Sequence, residues 1–334
     1  MSSGPKIVAL CGGVGGAKLV LGLERRFGAG VTAIVNTGDD FEHLGLHISP
    51  DVDTVIYTLA GMSDLDRGWG RADETWNCMK SLNAIGGETW FRIGDRDLAM
   101  HIERTRQLRS GISLTEFTAS VAKRLGIIAA VVPMSDDPIS TVVHTEEGAL
   151  SFQGYFVGRQ CEPVLQRVEF KNAERAQPSR AALAALQDPD LTAIIICPSN
   201  PYLSIDPILS VPSMRDTIRS AAVPVVAVSP LIGGKAVKGP TAKIMSELKH
   251  DCGPLAIAAH YQDLIDGLLV DYEDRHAALP VPVRVTATLM QTLEDRERVA
   301  SECVAFAELI GFETHKVPRR KSTAVTPVKK RSNL

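Results

Sequence analysis

The stretch KIVALCGGVGGAK, Lys6 to Lys18, decides the fold. Ile7 to Leu10 is a short apolar run of strand type, and Gly12, Gly13, Gly15 and Gly16 crowd the next positions. Lys18 follows, then an apolar-periodic segment with Leu19, Val20, Leu23 and Phe27 on one helical face. Strand, glycine turn and helix together open a nucleotide-binding α/β domain. Glycine lets backbone N–H groups approach a phosphate, and a helix N-terminus favours its negative charge. Two familiar fingerprints fail here. A Walker loop needs Gly-Lys followed by Ser or Thr, but Ala17 separates Gly16 from Lys18. The dinucleotide pattern fits Gly13 and Gly15, but its third glycine falls on Lys18. Phosphate binding is therefore indicated and the nucleotide class stays open.

The rest of the chain repeats the same grammar. Val31–Val35 is a second buried strand and ends in Asn36-Thr37-Gly38-Asp39-Asp40. Ile127–Val132 ends in Pro133-Met134-Ser135-Asp136-Asp137-Pro138, Ala193–Cys197 in Pro198-Ser199-Asn200-Pro201, and Val223–Val228 in Ser229-Pro230-Leu231-Ile232-Gly233-Gly234. Buried strands that end in Gly, Ser, Asn and Asp, with helices between, predict a doubly wound, mostly parallel, Rossmann-like α/β sheet with one ligand-lined edge. The interval from about 40 to 126 is long for one crossover and predicts a helical insertion over that edge. Within it a helix is expected from Val55 to Ala60, capped by Asp51 or Asp53, and another over 73–83 carrying Trp76. Residues 139–157 read as a hairpin turning at Glu146-Glu147-Gly148. The expected organisation is one α/β domain over 1–315 and a basic, disordered tail over 316–334.

Composition narrows the class. The 334 residues are 45% hydrophobic and 22% charged, enough for a large soluble core, and no apolar run is long enough to span a membrane. Six cysteines are scattered without a Cys-x-x-Cys pair, which predicts reduced thiols and a cytoplasmic protein rather than disulfides or zinc. Net charge is −3, but residues 316–334 hold seven basic side chains and no acid, so the remainder carries −10. An acidic body argues against nucleic acid as the partner.

Carboxylates dominate the candidate chemistry. Asp39, Asp40, Asp51, Asp53, Asp95, Asp97, Asp136 and Asp137 lie near strand ends or helix starts. Several acids beside a phosphate-binding loop suggest Mg²⁺, a hard ion with oxygen ligands that bridges phosphates. Asp39, Asp40 and Asp53 are the stronger candidates. Asp51, Asp95 and Asp97 immediately precede helices, where a carboxylate commonly caps. His43, His47 and His101 are read as isolated packing residues without metal-ligand spacing. Trp69, Trp76, Trp90 and Phe91 share the insertion and suit a wall for a flat aromatic ligand as well as a core. No Gly-x-Ser-x-Gly elbow or Cys/His pair points to covalent catalysis.

Taken together and in order, these motifs resemble the 2-phospho-L-lactate transferase family of coenzyme F-420 biosynthesis. The glycine loop, Val35 to Asp40, Ser49-Pro50-Asp51-Val52-Asp53-Thr54, Gly68-Trp69-Gly70 and Gly94-Asp95-Arg96-Asp97 carry the resemblance, with the three later strand ends. It covers about residues 5–312 and leaves out the basic tail. The resemblance implies a reaction in which a phospho-hydroxyacid moves from its guanosine diphosphate adduct to the ribityl hydroxyl of the deazaflavin Fo, releasing GMP. It implies that Asp53 and Arg92 contact Fo, with Trp69 and Trp90 expected as its wall. The glycine loop (Gly12, Gly13, Gly15, Gly16, Lys18) and Ser199 and Asn200 would hold the nucleotide. Asn36, Asp136, Asp137, Gly233 and Gly234 belong to motifs expected at the same ligand. Asp39, Asp40 and Asp53 are the expected Mg²⁺ ligands and catalytic acids. An upstream guanylyltransferase and a homodimer are further expectations. Two other classes stand beside this one: an NAD-type oxidoreductase with Asp39 or Asp40 on a ribose, and a non-catalytic regulator that binds nucleotide sugars.

Overall fold

The computed structural model describes residues 4–64 and 67–314. Seven parallel strands form the central sheet: β1 (Lys6–Cys11), β2 (Val31–Val35), β3 (Ala130–Pro133), β4 (Leu191–Ile196), β5 (Val225–Val228), β6 (Gly267–Val270) and β7 (Val283–Val285). Their spatial order is β7-β6-β5-β4-β1-β2-β3. The chain first winds outward from β1 through β2 to β3. It then returns to β4 on the other side of β1 and winds the opposite way. The switch point therefore lies between β1 and β4, where α/β sheets bind ligands beyond the strands' carboxyl ends. The expected doubly wound sheet is present, and it is wholly parallel rather than mostly so.

Both sheet faces are covered, which is why the strands read as continuous apolar runs. Ile7, Ala9 and Cys11 of β1 pack on one side with helix α1 (Gly13–Phe27), helix α2 (Pro50–Leu59) and the C-terminal helix Leu293–Thr314. Val8 and Leu10 face the other way, into a core with Ile194, Ile208, Ile218, Ile244 and Ile257. Glu24 on α1 is buried and its Oε1 accepts the N–H groups of Ile128 and Ala129, which ties the helix to the approach of β3.

The structure divides the 40–126 interval. Val52, Val55, Ile56 and Tyr57 of α2, and Ala122 of helix Leu114–Arg124, belong to the sheet's own core. The layer over the ligand edge is the part between, which includes helices Asn77–Ala84 and Asp95–Arg109. Helix α2 begins at Pro50, five residues before the expected Val55, so Asp51 and Asp53 sit inside its first turn and neither is its cap. Pro50 explains the early start, because its fixed φ suits a first helical position. Trp76 lies just before its helix rather than within it. The hairpin expected over 139–157 is present as Ser140–Thr145 with Gly148–Ser151 but stops there, residues 152–158 being helical, and Leu165–Lys171 joins it into a three-stranded antiparallel sheet. Basic residues 316–334 lie outside the described residues.

Candidate active site

The carboxyl ends of the central strands open into a cavity of about 530 Å³. Its floor is the junction of two loops at the switch point. Ser199 locks them together: its hydroxyl accepts from the Gly12 N–H at 3.1 Å and donates to the Gly12 carbonyl at 2.8 Å. A Cβ at Gly15 would come 2.5 Å from the Pro198 carbonyl oxygen, so only glycine permits this approach. Gly16 is equally constrained, against Cys11 and Ser199, but does not border the cavity. Gly12, Gly13 and Gly15 do border it, at the start of α1, where first-turn N–H groups have no partner within the helix. Asn200 folds its own loop by accepting from the N–H groups of Tyr202 and Leu203, while its Nδ2 is buried at the cavity without a partner.

Asp51 is the brace behind the glycine loop. Its carboxylate accepts from Gly13 N–H at 2.7 Å and Asn36 Nδ2 at 2.9 Å. Burial pushes its pKa up to about 6 against these two bonds. Burial and then the Asp51 charge raise Asp39 well above the usual carboxylate range. Asp39 borders the cavity, and its Oδ1 is buried with no hydrogen-bond partner. Asp40 does not border it: its Oδ2 accepts from Ser49 at 2.7 Å and pairs with His47 at 3.1 Å. Asn36 likewise works behind the wall, holding Asp51 and the Gly38 N–H.

Asp53 leads into the far wall. One carboxylate oxygen pairs with Arg104, a guanidinium with 1% of its side chain exposed, and the other is buried without a hydrogen bond. His101 lies between two acids, Nδ1 at 3.7 Å from Asp53 and Nε2 at 3.4 Å from Asp97. Burial alone would raise Asp97, but the His101 ring and the Tyr57 hydroxyl, donating at 2.6 Å, hold it below its usual value. Asp53, Asp97 and His101 each offer a ligand atom, all within 4.8 Å of one another. The expectation that His101 lacks metal-ligand spacing is thus corrected. Asp97 and His101 are four residues apart on one helix, and that spacing was the available signal.

The cavity also carries cations. Lys18 and Lys238 both border the cavity, and each ammonium rests on a backbone carbonyl, Lys18 on Met290 at 2.9 Å and Lys238 on Gly68 at 2.8 Å. Burial, then the Arg296 and Lys238 charges, lower the pKa of Lys18. Lys238 escaped the sequence reading because one lysine in a Gly-rich loop carries no pattern.

Aromatic side chains supply the remaining surface. Trp69 and Trp90 are 46% and 43% exposed at the cavity, and Phe91, Phe152 and Phe156 join them. Arg92 lines it too, its guanidinium 4.3 Å from the centre of the Trp76 ring. Phe152 and Phe156, stacked at 5.3 Å, come from the segment after the hairpin and were not anticipated.

Besides Gly16 and Asn36, four further expected nucleotide residues fall elsewhere. Asp136 accepts from the N–H of Thr115, and Asp137 from that of Gln177, so both secure loops. Gly233 and Gly234 turn the small hairpin Leu231–Ile232 and Lys235–Ala236. None of the four borders the cavity. Polar residues at a strand end are common to loop anchors and ligand contacts, and sequence alone does not separate them.

The family model described as 2-phospho-L-lactate transferase CofD matches residues 7–304. The chain belongs to this family. Among its relatives in the CofD family, a phosphoenolpyruvate transferase of Kitasatospora aureofaciens is 39% identical, covering 91% of this chain and 98% of that one. A 2-phospho-L-lactate transferase of Methanosarcina mazei is 37% identical, covering 80% and 88%. A crystal structure of a UPF0052 family member from Bacillus halodurans superposes with a TM-score of 0.60 at 16% identity, over 91% of this chain and all of that one, and shares the fold alone. Membership makes the protein a transferase of the CofD type, within coenzyme F-420 biosynthesis. No helix among the described residues is long and apolar enough to cross a membrane.

Proposed function

We propose that this CofD-family enzyme transfers a three-carbon phospho-acid from its guanosine diphosphate adduct to the ribityl hydroxyl of Fo, releasing GMP. The phosphoenolpyruvyl arm is favoured, because relatives named phosphoenolpyruvate transferase align over 91% of the chain. The observation that carries the reading is the lining of one cavity by three kinds of side chain. Its cations and helix N-terminus suit a diphosphate, its aromatic side chains suit a deazaflavin, and its carboxylates line the same volume.

In the proposed reaction the Fo hydroxyl oxygen attacks the phosphorus that carries the acid, and the bond from that phosphorus to GMP breaks. Phosphoryl transfer asks mainly for positioning and charge neutralisation. The N–H groups of Val14 and Gly15 at the start of α1, with Lys18, hold the diphosphate. Asn200 Nδ2 supplies a donor to the nucleotide. Trp69, Trp90 and Phe156 fix the ring of Fo, and Arg92 lies at its edge. Asp53 takes the hydroxyl proton on its free oxygen, while Arg104 keeps the other oxygen fixed. The buried, unpartnered Oδ1 of Asp39 fits a hard divalent ion; the one unpaired oxygen of Asp53 is used here as the base, and Asp40 lies away from the cavity. Mg²⁺ held there would neutralise charge developing on the phosphate. A guanylyltransferase would supply the donor.

A thermal-shift panel tests the ligand classes. GDP with Mg²⁺ should raise the melting temperature, by about RT ln(1 + [L]/Kd) in free-energy terms. NADH or a UDP-sugar stabilising the protein in place of GDP would contradict the reading.

A further inference from the structure

One buried carboxamide at the cavity has no use in the transfer chemistry. Gln153 lies in the helical turn over 152–158 and borders the cavity together with Phe152, Phe156 and Val157. It is 5% exposed, and its side chain makes no hydrogen bond with any described residue, not even as a cap on its own turn. A carboxamide taken out of water costs free energy unless it is paired, so buried ones are found with partners. The partner of Gln153 has to come from the cavity.

The turn that carries it is firmly held. Tyr155 is wholly buried behind it, with its hydroxyl 3.4 Å from Lys243 Nζ. Gly154 N–H donates to the Ser151 hydroxyl, and the Tyr155 carbonyl accepts from Cys161 N–H at 2.9 Å. Trp90 stands beside the turn: a Cβ at Gly158 would lie 3.9 Å from both the Trp90 ring and the Gln153 carbonyl oxygen. Gln153 is therefore fixed next to the aromatic surface of Phe152, Phe156 and Trp90.

We propose that Gln153 is the specificity residue for the flat substrate: Oε1 accepts from the imide N–H of the deazaflavin's pyrimidinedione ring, and Nε2 donates to the ring carbonyl next to it.

The inference rests on the Fo reading above, and complementarity supports it. The imide edge sets a donor beside an acceptor, and a carboxamide sets an acceptor beside a donor in one plane. Two carboxamides border the cavity among the described residues, Gln153 and Asn200. Asn200 spends its Oδ1 on the N–H groups of Tyr202 and Leu203 and keeps only a donor. A Ser or Thr hydroxyl carries both functions on one atom, Arg and Lys only donate, and an ionised carboxylate only accepts. Among these side-chain types, Gln153 offers both functions unspent on neighbouring atoms. Position favours the deazaflavin over the nucleobase, because a ring lying on Phe156 and Trp90 brings its edge to the residue between Phe152 and Phe156. Guanine also presents two adjacent donors, for which a carboxylate is the bidentate match.

A site built to hydrogen-bond a group rejects an analogue that lacks it, since the protein's own polar group is then left buried and unpaired. Fluorescence titration of the full-length protein with Fo, and with Fo methylated at the imide nitrogen, is therefore the test. The wild type should bind Fo about tenfold more tightly than the methylated form, or better. Gln153→Ala removes the carboxamide and leaves room for the methyl group. It should bind the two forms with nearly equal affinity, bind Fo more weakly than the wild type, and keep wild-type affinity for GDP. A wild type that binds both forms equally overturns the assignment without recourse to any variant, and leaves the Fo reading standing. Discrimination that survives in Gln153→Ala overturns it too. So does a Gln153→Ala protein that loses GDP affinity and keeps that for Fo, which would give the carboxamide to the guanine. A wild type that binds GDP and no Fo overturns the Fo reading as well.

Discussion

Asp53 has two roles that a single substitution removes together. It offers a free oxygen to the cavity and it balances the buried Arg104 charge. Asp53→Asn should therefore lower turnover by roughly 10²–10⁴-fold through the lost proton acceptor. It should also lower stability by about 3–5 kcal/mol, because a buried guanidinium loses its partner. Asp53→Asn combined with Arg104→Met should recover most of the melting temperature and none of the activity. Recovery of both would make Asp53 purely structural. Asp39 predicts the opposite sign. Its folded pKa is raised by burial, so between the unfolded value near 3.9 and the raised folded value the folded state holds the extra proton. Its stabilising contribution is complete below that window and is lost as pH rises. Asp39→Asn should thus melt higher than wild type at pH 7.5, with the gain shrinking toward pH 4, and should lack the Mg²⁺-induced rise in melting temperature that the proposed site predicts for the wild type. A variant that melts lower at pH 7.5 would contradict the burial argument. At this scale the sequence was informative about residue type and less so about place. Acids at strand ends were visible, but whether Asp40 or Asp39 reaches the cavity depends on His47 and Ser49 folding back onto Asp40, a contact between segments.

Helix α1 shows how an element can be legible while its packing is not. Strand, glycines and apolar periodicity identify it from sequence alone. Nothing in the sequence says that Gly22 is where the C-terminal helix crosses. A Cβ there would run into the Arg296 backbone, and Leu19, Val20 and Leu23 pack beside Val299 and Cys303. Gly22→Ala should therefore lose about 1–3 kcal/mol by denaturant titration, although alanine is the better helix former. A stabilised Gly22→Ala would mean the helices cross elsewhere. Helix Asn77–Ala84 makes a related point. It carries no cap of its own, and the distant Asp95 carboxylate accepts from Asn77 and Cys78 N–H. The Thr75 hydroxyl, then these two N–H groups, lower the Asp95 pKa to about 2. Asp95→Ala should fray this helix and speed its amide exchange while the central sheet stays protected. The early start of α2 and the strand Leu165–Lys171 were missed for local reasons. Ser49-Pro50 reads equally as a turn, and LQRVEFK carries charges that weaken its alternation.

Across the whole molecule, one arrangement explains why the motifs recur in the order they do. Each parallel strand delivers its polar terminus to the same edge, and the winding reverses between β1 and β4. The loops of Gly12 and Ser199, far apart in sequence, therefore meet at the centre of the site. That convergence was readable from strand ends alone. The cationic lining was not, because Lys18 and Lys238 become neighbours only through the fold. The resulting cavity is lined by cationic, acidic and aromatic side chains around one volume, and the proposed transfer between a nucleotide adduct and a flat acceptor would use all three. Mass spectrometry of the product tests this most directly. The purified protein is incubated with Fo, Mg²⁺ and the guanosine diphosphate adduct of phosphoenolpyruvate or of phospholactate. The expected result is a deazaflavin heavier by one phosphorylated three-carbon acid, with an equal amount of GMP and the enolpyruvyl donor preferred. Unmodified Fo with both donors intact, in a protein that binds GDP, would contradict the account.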